Sequence, residues 1–109
     1  MNNTAKWRFN NSQAERVIDV LTDFLAEQLK PQQIVLFGSR AKGTAKRGSD
    51  IDLAVIGGHQ PDFRQERKLR EKLDQLAGLY SVDLVFAEKT DDDFGGMIRD
   101  TGIVLYEKD

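Results

Sequence analysis

A polar stretch between two short apolar runs constrains the fold of this chain more than any other feature. The first run, 34–37, stops at the pair Gly38-Ser39, and the second begins with Asp50 and Asp52, one residue apart. Short apolar runs with β-branched and aromatic side chains are typical of buried strands. The sequence therefore predicts two strands joined by a loop that carries the polar chemistry.

The loop has the composition of a phosphate-binding turn. Residues 39–42 predict a single helical turn, and 43–49 predict a loop, because that segment has two glycines and no apolar residue larger than alanine. Gly38 has no Cβ, so the backbone can approach a ligand, and N–H groups that open a helical turn point toward an anion. Ser39 adds a hydroxyl donor. The same loop holds four positive charges, on Arg40, Lys42, Lys46 and Arg47. A triphosphate suits this position.

The second apolar run shows the two-residue period of a strand. Acidic or small side chains alternate with large apolar ones in the order Asp50, Ile51, Asp52, Leu53, Ala54 and Val55. Asp50 and Asp52 are therefore expected on one face of the strand. Mg²⁺ takes oxygen ligands, and a pair of carboxylates can bridge two metal ions in a phosphoryl-transfer site. The pair predicts a magnesium site.

The first helix is expected to begin at Ser12. Ser12 and Glu15 have the spacing of a capping box, and Pro31 ends the helix because proline cannot continue a helix interior. Apolar residues between them recur at steps of three and four, which places them on one stripe facing a core. These residues are Val17, Ile18, Leu21, Phe24, Leu25 and Leu29.

A second helix and a third strand follow in the second half of the chain. The helix starts near Pro61 and Asp62 and stops at Gly78. The strand covers 82–86, where Asp83 lies on the face opposite the large apolar side chains. The pattern of helices and strands indicates a mixed α/β chain of the α+β class.

A short last helix precedes a final apolar run at 103–106. Thr90 is expected to cap this helix, and Gly102 is expected to end it. The acidic run 91–93 could suggest metal binding, but acids in the first turn of a helix complement its dipole, and we favour that interpretation.

Composition narrows the function classes. The chain of 109 residues has 16 basic and 18 acidic residues, which argues against a general nucleic-acid binder. It has no cysteine, which excludes disulfides and thiolate metal sites. No signal peptide or membrane-spanning run is recognisable, so a cytoplasmic location is expected. We interpret 1–109 as a single domain with a loose N-terminal arm at 1–11.

The motif as a whole is specific. A Gly-Ser pair, ten residues and Asp-x-Asp arise together by chance in about one chain in a thousand of this length. The segments 38–43 and 49–53 resemble the signature of the nucleotidyltransferase superfamily that includes DNA polymerase β. Within it, the chain is similar to the minimal nucleotidyltransferase (MNT) proteins, which are commonly encoded beside a small helical HEPN protein. Lys42 stands where arginine is more usual, which keeps the charge but not the forked donor geometry.

The resemblance implies a polymerase β-like fold, with a small mixed sheet and helices packed mainly on one face. It implies that Asp50 and Asp52 hold Mg²⁺, as two ions, and that Gly38 and Ser39 contact the triphosphate of ATP. Three further residues of the matching segments are assigned to nucleotide binding, namely Arg40, Lys42 and Ser49.

The family also needs a third carboxylate on a later strand. We choose Asp83, because an unpaired carboxylate in so apolar a strand is costly to bury without a metal or donor. An aspartate at a strand edge in water is the alternative. Asp74 on the second helix and Glu88 beyond the third strand are weaker candidates.

The resemblance implies an antitoxin that transfers AMP from ATP to a tyrosine of a HEPN toxin and releases pyrophosphate. The acceptor surface is then expected on the partner. A binding module that neutralises the toxin by association alone is the alternative function. A less favoured alternative is transfer to a small molecule such as an aminoglycoside.

Overall fold

Helices and strands alternate along residues 13–46 and 48–109, the part of the chain that the computed structural model describes. The elements are α1 (Gln13–Leu29), β1 (Gln33–Phe37), α2 (Ser39–Lys42), β2 (Ile51–Ile56), α3 (Phe63–Ala77), β3 (Val82–Phe86), a 3₁₀ turn (Ala87–Lys89), α4 (Asp92–Thr101) and β4 (Ile103–Glu107). The predicted arm at 1–11, the cap at Ser12 and the charge of Arg47 lie outside the described residues.

The four strands form one mixed sheet in the order β3-β2-β1-β4. Strand β1 is antiparallel to both β2 and β4, whereas β2 and β3 are parallel. Parallel neighbours need a crossover connection, and α3 provides it. The predicted mixed α+β fold is confirmed, and the strand order sets which residues of the three predicted strands lie side by side.

The two long helices pack on one face of the sheet, as predicted. The face of β2 that they cover carries Ile51, Leu53 and Val55, all fully buried. Helix α1 inserts its apolar stripe there, and α3 contributes Leu69 and Leu73. The remaining buried members of this core are Ile18, Leu21, Leu25, Leu29, Ile34, Leu36, Ala77, Leu84, Phe86 and Leu105.

The opposite face is covered by the short helix α4. Its Ile98 packs with Val35, Phe37 and Ala54 in a second, smaller core. The Phe37 and Phe94 rings meet edge to face, with centroids 5.7 Å apart and planes at 89°, an arrangement favoured by the ring quadrupoles. Most of the helical cover therefore lies on one face, and a thinner cover lies on the other.

The helix ends follow local chemistry with one correction. Helix α3 has a full capping box between Asp62 and Gln65, as its predicted start at Asp62 requires. Thr90 does not cap α4, because it lies one residue before the N-cap position and ends the 3₁₀ turn instead, with its hydroxyl donating to Ala87 O at 2.8 Å. Asp91 is the cap instead, and its carboxylate accepts from Phe94 N at 2.8 Å.

The rest of the acidic run is consistent with its predicted role, since Asp92 and Asp93 lie in the first turn of α4.

Among the described helices, none is both long enough and apolar enough to cross a membrane.

Candidate active site

Asp52 and Asp83 face each other across two parallel strands. Asp52 lies in β2 between Phe37 of β1 and Asp83 of β3 in the register of the sheet. Neighbouring strands are about 4.8 Å apart, and side-chain alternation puts both aspartates on the α4 face. Asp83 is exposed and Asp52 is half-buried, while Asp50 is exposed one residue before β2. The structure thus brings the predicted third acid beside the Asp-x-Asp motif.

The carboxylates repel one another. The pKa of Asp52 is raised above its ordinary value of 3.8, first by burial and then by the negative charges of Asp83 and Asp50. The positive charge of Arg40 opposes this shift. A bound cation would relieve the repulsion, because it stabilises the charged form of each acid.

The donor set fits Mg²⁺ in kind, because carboxylate oxygens are its usual protein ligands. No three His, Cys, Asp or Glu side chains within 13–46 and 48–109 already form a cluster that could hold a metal ion. The fit therefore rests on the chemistry of the three acids and on their mutual repulsion. Their assignment as metal ligands stays a prediction.

Gly38 is pressed against the second aspartate. Its backbone has φ 77° and ψ −157°, a conformation that side chains strongly disfavour. A Cβ built on Gly38 would overlap Asp52 Oδ2 and lie 3.0 Å from Asp52 Cγ. Glycine is therefore required at this position for two reasons: its backbone conformation disfavours a side chain, and the Asp52 carboxylate leaves no space for a Cβ.

The predicted helical turn is present as α2. Lys42 N donates to Gly38 O at 3.1 Å, and Thr44 N donates to Ser39 O at 3.0 Å. Gly43 ends the turn in the left-handed conformation, with φ 78°. Ser39 is half-buried at the start of this turn, whereas the Lys42 side chain is exposed.

Arg40 and Ser49, both assigned to nucleotide binding from the sequence, contact each other. Arg40 Nη2 donates to Ser49 O at 2.8 Å, and the guanidinium lies 5.4 Å from the centroid of the Tyr80 ring. Ser49 also closes a tight turn with Lys46: its N–H donates to Lys46 O at 2.9 Å, and its Oγ accepts from Lys46 N at 2.8 Å. Nucleotide contacts of Arg40 and Ser49 stay predictions.

Tyr80 is a residue of this site that the sequence analysis missed. The signal was available in principle, because parallel pairing aligns the start of β2 with the start of β3. Ile51 N donates to Ser81 O at 2.8 Å, so the residue before Ser81 lies close to the loop that precedes Ile51. Finding it required knowing that β2 and β3 are neighbours.

The two weaker candidates for the third acid lie elsewhere. Asp74 is exposed on α3. Glu88 lies in the 3₁₀ turn, where its carboxylate accepts from Gly57 N at 2.7 Å, beyond the opposite end of β2 from Asp52. Of the acids considered, Asp83 is the one that the sheet places beside Asp52.

Sequence comparison places the chain among nucleotidyltransferases. The family described as polymerase beta, nucleotidyltransferase, matches residues 19–109. The chain is 38% identical over 86 residues to a Haemophilus influenzae protein named "Probable protein adenylyltransferase MntA", covering 78% of this chain and 75% of that protein.

Solved structures agree in fold. A toxin–antitoxin crystal structure with AMP-PNP is similar at a TM-score of 0.71 and 31% identity, over 83% of this chain and 73% of that one. A complex of a tri-AMPylated Shewanella oneidensis HEPN toxin with its MNT antitoxin has a TM-score of 0.68 and 25% identity, over 88% and 74% of the respective chains. The match along residues 19–109, which includes the Gly-Ser turn and all three acids, shows that this chain belongs to the polymerase β nucleotidyltransferase family.

Proposed function

We propose that this protein transfers the AMP group of ATP to a tyrosine hydroxyl of a HEPN toxin and thereby acts as its antitoxin. The observation that carries the proposal is the contact between Gly38 and Asp52, with Asp83 in register on the next strand. This contact brings the Gly38-Ser39 turn, which can bind phosphates, next to the aspartates that can bind a metal ion. The relatives named as an adenylyltransferase and as an antitoxin bound to an AMPylated toxin support the choice of nucleotide and acceptor.

Asp50, Asp52 and Asp83 would hold Mg²⁺, as a pair of ions. When bound, the metal supplies positive charge that stabilises the phosphates during transfer. ATP as the donor is consistent with the cytoplasmic location expected from the sequence.

The chain's own groups position the nucleotide. Because Gly38 has no Cβ, the Asp52 carboxylate lies against the start of α2, where Ser39 at the first position of the helix donates to the triphosphate. Lys42 is exposed at the end of the same turn and acts as a mobile point charge on the phosphates. This arrangement holds the α-phosphate against the acids.

Asp83 receives the proton of the acceptor. It is exposed on β3, which is an edge strand of the sheet, so a tyrosine presented by a partner can reach it. The tyrosine oxygen forms a bond to the α-phosphorus as the bond to the bridging oxygen breaks, and pyrophosphate leaves. The phenolic proton moves to the Asp83 carboxylate.

Labelling tests the function directly. Purified protein, Mg²⁺ and ATP labelled in its α-phosphate are incubated with the cognate HEPN toxin, and we expect the label on that toxin. Asp50→Ala combined with Asp52→Ala should abolish labelling. Labelling that persists in the double variant would refute the assignment, and full neutralisation of the toxin without ATP would favour binding alone.

The third acid has its own test. Asp83→Asn is expected to reduce the rate of transfer by about 100-fold or more, the contribution that a positioned general base makes. Asp74→Asn is the matched control, since Asp74 is exposed on α3 away from the site. Equal rates for the two variants would remove Asp83 from the site.

A further inference from the structure

The Arg40 side chain is hydrogen-bonded to the end of the α2–β2 loop that precedes β2. Gly43 and Gly48 of this loop have φ of 78° and 86°, a backbone conformation that glycine adopts without strain. Ser49 then forms its tight turn with Lys46. Arg40, which belongs to α2, reaches across the loop and donates to Ser49 O at 2.8 Å. That carbonyl belongs to the peptide that leads directly into Asp50.

The guanidinium of Arg40 is turned toward the protein. Its plane lies by the ring of Tyr80, the residue missed in the sequence, at 5.4 Å from the centroid. Its Nε is buried and has no hydrogen-bond partner within 13–46 and 48–109. Lys42 and Lys46, in contrast, are exposed. A triphosphate in solvent can reach those lysines more readily than the inward edge of Arg40.

We propose that Arg40 is a positioning residue: held by Tyr80, it fixes the Ser49 carbonyl and so sets where Asp50 lies, whereas Asp52 is placed by the pairing of β2 with β1 and β3. This role differs from the nucleotide contact expected from the sequence, which stays a prediction. Removal of the guanidinium leaves a loop with two glycines that is held, among its described residues, by the Lys46–Ser49 turn and by the bond from Thr44 N to Ser39 O. Asp50 then loses its fixed position relative to Asp52 and Gly38, while the helical turn α2 itself stays intact.

Amide hydrogen exchange of the protein without nucleotide is the primary test, because it does not depend on the proposed function. Arg40→Gln is expected to speed exchange at Lys46 and Ser49, whose N–H groups close the loop turn, by about tenfold, the response to losing one hydrogen bond to a charged donor. Amides of α1 should be unchanged. Arg40→Lys can still donate to Ser49 O, so its exchange rates at Lys46 and Ser49 should lie between those of the natural protein and those of Arg40→Gln.

Tyr80 supplies matched variants. Tyr80→Phe keeps the ring and should exchange like the natural protein, whereas Tyr80→Leu removes the ring and should loosen the same two amides. Lys42→Gln removes an exposed charge from the same helical turn and should leave loop exchange unchanged.

Transfer kinetics give the second readout and rest on the proposed function. Loss of position predicts that Arg40→Gln lowers kcat by up to about 100-fold with little change in KM for ATP, since small displacements of reacting groups cost that much. Lys42→Gln should instead raise KM. A raised KM for Arg40→Gln with unchanged loop exchange would overturn the proposal, as would exchange that rises equally in α1. If the natural protein shows no transfer, the proposed function fails and the exchange result alone decides the role of Arg40.

Discussion

The two faces of the sheet are made from the same strands but are covered very differently. Helices α1 and α3 close one face, where side chains of β2 such as Leu53 and Val55 are fully buried. On the other face, the described chain provides α4, ten residues with two glycines. Burial on that face declines across the strands, from Phe37 at 7% exposure to half-buried Asp52 and exposed Asp83.

The thin cover explains why the candidate site lies where it does. A face closed as tightly as the α1/α3 side could not hold unpaired carboxylates without a large desolvation cost. At the end of the α4 side that the described residues leave exposed, burial is enough to raise the pKa of Asp52 and small enough for substrate to enter. The α1/α3 face therefore provides most of the buried core, and the α4 face stays partly exposed, which allows substrate access.

The largest expected effect is on the covered face. Leu53→Ala should lower the free energy of unfolding by about 2–5 kcal/mol, because it leaves a cavity in a closed core. Urea unfolding measures this loss. Val104→Ala on the edge strand β4 is the control, since Val104 is 40% exposed, and its cost should stay within about 0.5 kcal/mol. Similar costs for the two variants would contradict the contrast between the faces.

Two glycines with nearly the same φ sharpen the comparison at the open end. Gly38→Ala and Gly43→Ala should each cost about 1–3 kcal/mol of backbone strain. A Cβ meets Asp52 only at Gly38, while nothing lies within 4 Å of one at Gly43. Transfer activity should therefore be lost in Gly38→Ala and retained in Gly43→Ala. Equal activity in the two folded variants would show that the Gly38–Asp52 contact is unimportant.

The smallest expected effect is a stabilisation. Because the pKa of Asp52 is raised in the folded protein, folding favours its protonated form, and the charged form costs stability at neutral pH. Asp52→Asn should thus raise Tm at pH 7 by a few degrees. The gain should shrink as pH falls through the folded pKa and vanish below the ordinary value near 3.8.

Thermal unfolding across pH 3 to 8 measures this effect, with Asp74→Asn as the control. Added Mg²⁺ should raise Tm of the natural protein more than that of Asp52→Asn. A variant that is less stable than the natural protein at neutral pH would show that Asp52 is not under electrostatic strain.

Most elements were predictable because their signals are local. The helix start near Pro61 and Asp62, the break at Pro31 and the alternation in 82–86 each depend on a few adjacent residues, and the structure confirms the elements that they predict. The cap of α4 was wrong by one residue, because the 3₁₀ turn that occupies Thr90 gives little signal in the sequence.

The contacts within the site were less accessible, because they join distant parts of the chain. The choice of Asp83 came from strand alternation and a family resemblance, and its register with Asp52 became visible only once β2 and β3 were paired. The inward turn of Arg40 toward Tyr80, forty residues away, had no local signal.

The sequence by itself determined the elements and the chemistry of the polar loop, since hydrophobic period, caps and residue types act over a few residues. Only the tertiary structure decided the strand order and the exposed end of the α4 face. It also decided the close approach of Gly38 to Asp52 and the hydrogen bond from Arg40 to Ser49 O. Each of these depends on long-range packing, in which burial of both faces selects one arrangement of the strands. The acids were visible in the sequence, and their common location is a property of the fold.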